Sequence, residues 1–319
     1  MDFSIQKKEK DSGRKHFSAA VIGSGPAGST AAIYLGRSKV DTVVFEKVIP
    51  GGYVVNVEKI ENYPGFVEGI RGEELGKLYA KHAEKFGAEL KTEEVTKLEL
   101  NEMPFRIQTA HSSYTSDSII LATGTSNRKL GIPGEKEFTH KGISFCATCD
   151  APFFEGEDII VVGAGNSGAQ ESLYLSRFAK HITIVELLDY STAEPILVDR
   201  LKANDKIELL VSHSVESFKG DKLLSSVDIK DIKSGEVKNL KVKGAFIYAG
   251  EIPNNDLFKD MVKLNDKGFI VTDECMRTSV KGVFAAGDVR NTPLRQVATS
   301  IGDGAIAGHE AYRFLEEIK

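Results

Sequence analysis

One short pattern occurs twice in this chain and limits its fold more than any other feature. Phe17-Ser18-Ala19-Ala20-Val21-Ile22 reads as a buried strand and runs directly into Gly23-Ser24-Gly25-Pro26-Ala27-Gly28. A helical stretch from Thr30 to Gly36 follows, then a strand from Thr42 to Phe45 that ends at Glu46. Much later, Asp158-Ile159-Ile160-Val161-Val162 runs into Gly163-Ala164-Gly165-Asn166-Ser167-Gly168. A helix from Ala169 to Phe178 and a strand from Ile182 to Val185 follow, ending at Glu186. In both copies the acid stands 18 positions after the third glycine (28 to 46, 168 to 186). The first glycine makes the tight turn, the second lets backbone approach a pyrophosphate, and the third lets helix and strand pack closely. The helix start then faces the phosphates, and the terminal Glu accepts from a ribose diol. A single such turn is weak, because glycine-rich turns are common. Two copies in strand–turn–helix–strand context, with matched acids, predict two Rossmann-like α/β dinucleotide-binding folds.

Length and composition agree. The chain has 319 residues, 41% hydrophobic and 27% charged, which suits about two ordinary globular domains. The net charge of −5 gives no reason to expect nucleic acid as a partner. The most apolar runs, Ser118 to Gly124 and Ile159 to Gly165, are strand-length, so no membrane span is expected. Residues 1–16 are rich in charge and lack the apolar stretch of a signal peptide; they read as a flexible tail on a cytoplasmic protein.

Cys146-Ala147-Thr148-Cys149-Asp150 holds the only close pair among three cysteines. Such a pair is a redox dithiol, half of a zinc site, or two inert buried thiols. Zinc needs two more ligands, and beyond Cys275 there are only scattered histidines, His111, His140, His181 and His213 among them, with no second paired motif, so no metal site is expected. Context favours redox chemistry: the pair lies just before the second glycine turn, and Asp150 adjoins it as a candidate proton carrier. Cys275 reads as a buried spectator. Helical spacing of Leu75, Leu78, Tyr79 and Phe86 predicts a helix over 73–86 that serves as core or dimer contact, and Lys219 to Lys243 reads as hairpin strands with a solvated face.

Taken together, these residues resemble the low-molecular-weight thioredoxin reductases over nearly the whole chain. The markers are Gly23–Gly28, Gly51-Gly52, Glu61–Gly65, Ala122-Thr123-Gly124, Cys146–Asp150, Gly163–Gly168, Gly282–Asp288 and Arg295–Ala298. The resemblance implies two three-layer ββα domains, one inserted in the other. An FAD domain would comprise 17–127 and 256–319, and a nicotinamide-nucleotide domain carrying the dithiol would span 128–255. It also implies a homodimer, domain rotation, and thioredoxin or a thioredoxin-like protein as partner.

Site roles carry over by position. Gly23, Gly25, Pro26, Ala27 and Gly28 should hold the FAD pyrophosphate, with Glu46 and Lys47 at the adenosine end. Gly51, Gly52, Tyr53, Asn62, Ala122, Thr123 and Gly124 should line the flavin side. Gly287 and Asp288 should meet the ribityl chain, and Arg295, Gln296 and Val297 the isoalloxazine edge. Gly163, Gly165, Asn166, Ser167, Gly168 and Glu186 should form the nicotinamide-nucleotide site. Cys149 should be the sulfur nearest the flavin, Cys146 the one that attacks the partner, and Asp150 the general acid/base.

The chain departs from the family pattern in two places. Members that use NADPH carry a basic segment after the second motif, whereas this chain has Glu186-Leu187-Leu188-Asp189-Tyr190 and no Arg or Lys until Arg200. Glu186 would repel a 2′-phosphate, so NADH is expected over NADPH. Family branches that take electrons from reduced ferredoxin are the alternative. Tyr53 stands where the family has Gln, either stacked on the flavin or simply packed in a loop. Two rival functions stand beside the reductase: a flavin dithiol oxidase that passes electrons to oxygen, and a nucleotide-sensing protein that would tolerate loss of both cysteines.

Overall fold

The computed structural model describes residues 15–319. The tail expected over 1–16 therefore falls outside the described residues up to position 14. His16 already belongs to the first strand, where it pairs with Thr115.

In chain order the elements begin β1 (His16–Ile22), α1 (Pro26–Arg37), β2 (Thr42–Phe45), a 3-10 turn (Gly52–Asn56) and α2 (Gly72–Lys85). Next come β3 (Glu89–Lys91), β4 (Val95–Glu99), β5 (Phe105–Thr109) and β6 (Ser113–Leu121). The middle of the chain holds β7 (Thr125–Asn127), α3 (Glu135–Phe138), β8 (Ile143–Ser144) and α4 (Ala147–Asp150). The second glycine motif follows as β9 (Asp158–Val162), α5 (Asn166–Leu175) and β10 (His181–Val185), continued by α6 (Pro195–Lys202) and β11 (Ile207–Leu210). An antiparallel meander of β12 (His213–Gly220), β13 (Leu224–Asp231) and β14 (Val237–Lys241) precedes β15 (Gly244–Ile247) and β16 (Glu251–Pro253). The chain ends with β17 (Val283–Ala285) and α7 (Val297–Glu317).

Two compact units emerge. The first comprises residues up to Gly52, Gly76–Gly124 and Asn254–Lys319; the second comprises Tyr53–Leu75 and Thr125–Pro253. Both units are discontinuous in sequence. The grouping differs at 53–75, which clusters with the second unit, so the boundary falls inside α2.

In the first unit β1 pairs in parallel with both β2 and β6, β2 with β3, and β17 with β6; β4 and β5 extend the sheet antiparallel. Side-chain alternation splits β6 cleanly. Ile119 and Leu121 enter a core with Phe17, Phe45, Phe105 and Phe258, while Ile120 faces α1 and α7. Helices α1 and α7 approach unusually closely: a Cβ on Gly304 would lie 2.2 Å from the Ala27 carbonyl oxygen, and one on Gly308 2.6 Å from that of Ala31. Glycines one helical turn apart on α7, facing alanines on α1, are what permit that contact.

The second unit repeats the scheme. Strands β11, β10, β9, β15 and β8 form a parallel five-stranded sheet in that order. Ile159, Val161, Ile182 and Ile184 pack with α5 and α6, and Ile160, Val162 and Val185 pack with the meander residues Val227 and Ile229. Each unit is thus a three-layer α/β fold, with the glycine turn at the carboxyl end of β1 in the first and of β9 in the second. The predicted helix over 169–178 starts earlier, at Asn166, and ends at Leu175, and the predicted hairpin is a three-stranded meander that begins at His213.

Candidate active site

The two glycine turns coincide in detail although their flanking sequences differ. Gly23 and Gly163 both have φ of +103°, a left-handed value that favours glycine. Their N–H groups donate to Phe45 and Val185 carbonyls, each at 2.8 Å. A Cβ on Gly28 would lie 1.9 Å from the Gly23 oxygen, and one on Gly168 2.0 Å from the Gly163 oxygen. The middle glycines differ from these. A Cβ on Gly25 would meet nothing closer than 3.7 Å, and on Gly165 nothing closer than 3.5 Å. Nothing in the protein itself demands glycine at these two positions, which is the pattern expected where backbone must leave room for a ligand. Neither α1 nor α5 has a side-chain cap, so the first-turn N–H groups remain available to an anion.

The paired acids are held by the turns they follow. Glu46 accepts from Ser24 N (3.1 Å), Ser24 Oγ (2.9 Å) and Val48 N (3.2 Å). Glu186 accepts from Ala164 N (2.7 Å) and Leu188 N (3.0 Å). Both remain able to accept further hydrogen bonds through their free lone pairs.

The structure gathers most of the other expected residues of the first unit around its turn. A Cβ on Gly23 would strike Ala122 O at 2.4 Å, one on Gly52 would reach Gly25 Cα at 2.9 Å, and one on Gly287 would reach Ala27 Cβ at 2.8 Å. Gly51 N donates to Ser24 O (3.1 Å), and Thr123 Oγ1 donates to Asn254 O (2.7 Å) beside Gly124. Asp288 accepts from Ser300 Oγ (3.1 Å), Gln296 caps α7, which starts at Val297, and the Arg295 guanidinium lies 4.0 Å from the centre of the Phe269 ring. Lys47 points to Glu94 at 3.8 Å in solvent.

Two expected residues, Tyr53 and Asn62, belong instead to the second unit, where Asn62 is exposed. Tyr53 hydrogen-bonds Asn127, and burial of its hydroxyl, followed by the charge of Glu171, pushes its pKa up to about 12.

The dithiol segment of the second unit is closed as a Cys146–Cys149 disulfide with an S–S distance of 2.05 Å. Cys146 is the N-cap of α4, and its sulfur accepts from Cys149 N at 3.3 Å. Ser144 organises the far side: its hydroxyl donates to Asp150 Oδ2 (2.6 Å) and receives Cys146 N (3.0 Å). Thr148 Oγ1 donates to Asn56 O (2.7 Å), and Ala147 N donates to the Tyr248 hydroxyl (3.2 Å). Cys149 is exposed, Cys146 half-buried, and Cys275 half-buried rather than buried as expected. Among the described residues no cluster of three or more His, Cys, Asp or Glu could hold a metal, and no helix is long and apolar enough to cross a membrane.

Several site residues escaped sequence reasoning. Asp303, only 7% exposed, accepts Gly287 N (3.1 Å) and takes both Arg290 Nε (2.5 Å) and Arg290 Nη2 (2.9 Å). The only sequence signal was a lone acid within an otherwise apolar helical face. Ser144, Tyr248 and Glu171 gave no motif at all.

Two dinucleotide turns flanking a disulfide couple define the class: the family described as pyridine nucleotide-disulphide oxidoreductase matches residues 17–304. Within that class the chain belongs to the low-molecular-weight thioredoxin reductase family. It is 41% identical over 307 residues to the thioredoxin reductase of Listeria innocua, covering 96% of each chain. Solved structures agree: Lactococcus lactis thioredoxin reductase (FR conformation) shares 41% identity and a TM-score of 0.92, covering 94% of this chain and 99% of that one. T. acidophilum thioredoxin reductase shares 36% identity and a TM-score of 0.91, covering 96% of this chain and 100% of that one. The chain is an enzyme of this family, which implies FAD and a pyridine nucleotide donor.

Proposed function

We propose that the chain reduces the disulfide of thioredoxin, or of a thioredoxin-like protein, through its Cys146–Cys149 couple, with NADH preferred over NADPH as donor and FAD as the bound group. The observation that carries the reading is the closed Cys146–Cys149 pair set immediately before the second dinucleotide turn.

The residues of the first unit fit FAD. The Gly25 and Gly52 backbones offer the close approach, the start of α1 offers uncapped N–H groups, and Glu46 is oriented for a ribose. When bound, FAD supplies two-electron chemistry to the disulfide couple. The protein's own part is thiol exchange. Cys146 is poised as the nucleophile because the Cys149 N–H already points at its sulfur, a bond that strengthens when the acceptor is a thiolate. Cys146 thiolate attacks one sulfur of the partner disulfide, forming a mixed disulfide and releasing the other partner sulfur as a thiolate. Cys149 then attacks Cys146, restoring the Cys146–Cys149 bond and releasing the partner's second thiolate. Asp150, which accepts from the Ser144 hydroxyl, serves in this reading to move the accompanying protons.

Donor preference rests on charge. Glu186 is held by two backbone N–H groups, Glu194 bonds Asn166 at the start of α5, and Arg200, the first basic residue after Glu186, is engaged with Glu61 at 2.6 Å. A 2′-phosphate would meet carboxylates there and no free cation from that stretch. Anaerobic bleaching of the flavin by NADH, NADPH and reduced ferredoxin, followed side by side, tests this. Faster bleaching by NADH is expected. Faster bleaching by NADPH would overturn the charge argument, and bleaching by ferredoxin alone would replace the donor while leaving the thiol chemistry intact.

A further inference from the structure

The second unit contains a buried acid that thiol exchange does not use. Glu171, in the body of α5, is 7% exposed, and its Oε2 has no hydrogen-bond partner among the described residues. An unpaired buried carboxyl is costly, so it stays protonated until the solvent is alkaline. Burial first, and the Glu58 carboxylate second, push its pKa up to about 8.

No cation relieves it. Arg177, beyond the end of α5, is paired with Glu58. The groups that feel Glu171 are phenols: Tyr53 from the 3-10 turn, Tyr174 on its own helix, and Tyr248 at the end of β15. Tyr53 also feels Glu251, Tyr174 also feels Glu58, Arg177 and Arg71, and Tyr248 also feels Asp150. Tyr248 touches the dithiol segment directly, because its hydroxyl accepts the N–H of Ala147 next to Cys146. Glu171 and the disulfide therefore share one buried phenol as neighbour, and α4 packs on α5.

We propose that Glu171 is the proton store of the Cys146–Cys149 couple, acting through Tyr248 and the low dielectric around it rather than by touching sulfur. Opening the disulfide takes two electrons from the enzyme's donor; the S–S bond breaks, and the pair gains negative charge wherever a thiol ionises. That charge raises the proton affinity of Glu171, which takes a proton from solvent. When the disulfide re-forms and the electrons leave to the partner, the proton returns to solvent. The inference rests on the Cys146–Cys149 pair being the working couple.

The test is a redox titration of the holoenzyme in dithiothreitol buffers between about pH 6.5 and 9.5, reading the thiols by alkylation and mass. One extra proton per couple makes reduction tenfold less favourable per pH unit, about 30 mV for two electrons. Wild-type protein should therefore show a slope steeper by that amount than Glu171→Gln above about pH 8, and the same slope below it. Thiol ionisation bends both curves, and its coupling to Glu171 enters only the wild-type one, so the difference between the proteins is the reading. Equal slopes throughout overturn the proposal. Should Glu171→Gln not fold, infrared titration of the protonated-carboxyl band in wild-type protein decides: a higher midpoint in the reduced enzyme supports the proposal, and equal midpoints overturn it. Cys146→Ser tests the underlying reading separately, since thioredoxin turnover can survive a failure of the proton count.

Discussion

Glu171 also makes a prediction about stability that needs no redox chemistry. In an unfolded chain its carboxyl loses the proton near pH ~4.3, whereas the folded protein holds it to about pH 8. Between those values the folded state binds the extra proton, so stability falls as pH rises through the window and levels off above it. Each pH unit is worth about 1.4 kcal/mol, so the full fall attributable to this group is on the order of 5 kcal/mol. Glu171→Gln removes the ionisation while keeping the shape. At pH 5 both side chains are neutral and the proteins should be similar, with the variant slightly worse because the amide N–H groups need partners. At pH 8.5 the variant should be the more stable by several kcal/mol, a swing of about 10–20 °C in Tm for a unit of this size. The measurement is thermal unfolding of both proteins, FAD-loaded, at a series of pH values, read as the difference between them so that all other titrating groups cancel. A gap that stays constant from pH 5 to 8.5 would show that water or a conformational change relieves Glu171, and would refute the burial argument.

Three further outcomes are expected. Glu186→Gln combined with Leu187→Arg, the latter at a position 63% exposed, should raise kcat/KM for NADPH relative to NADH by roughly 10- to 100-fold, since a unit charge in this setting is worth about 1–4 kcal/mol; steady-state assays with both nucleotides measure it. Arg290→Met should destabilise by about 3–5 kcal/mol by stranding the buried Asp303, while Arg290→Met with Asp303→Leu should recover much of that, as denaturation of the singles and the double would show. Cys149→Ser should trap thioredoxin as a mixed disulfide on Cys146, visible by non-reducing electrophoresis, because no resolving thiol remains.

How much of this was legible without coordinates depended on whether a function imposes spacing. The two turns were readable because one geometry demands glycine at fixed intervals and an acid at the end of the next strand. The structure returns Gly23 and Gly163 at the same φ, with Glu46 and Glu186 bonded back to Ser24 and Ala164. The Cys146–Cys149 pair was readable because closing a disulfide within one turn also fixes a spacing. Asp303 was not, because its partner Arg290 lies 13 positions away across a turn, and no local pattern ties the two together. Glu171 was invisible because it sits between Gln170 and Ser172 in what reads as a polar helix face, and its burial comes only with tertiary packing. The segment 53–75 reads as a continuation of the first unit, yet Thr148–Asn56 and Arg200–Glu61 bonds tie it to the second.

The near-identity of the two turns also bears on how nucleotide choice is built. On the proposed reading, backbone N–H groups and glycines would handle the pyrophosphate in both units, and they would be indifferent to which dinucleotide arrives. Discrimination must therefore come from side chains around the acid, and there the units diverge. Glu46 has Lys47 beside it, already shared with Glu94, and the Ser24 hydroxyl as an extra donor. Glu186 has no such donor; Leu187, Leu188 and Tyr190 stand exposed around it, and Glu194 closes the start of α5 through Asn166. An acid whose oxygens are both held by backbone can accept from a ribose hydroxyl without moving, but it cannot rotate away from a phosphate. Under the proposed NADH preference, rejection of a 2′-phosphate would follow from a carboxylate fixed in place as much as from the cations that are missing, so adding an arginine without releasing Glu186 should yield only part of the switch.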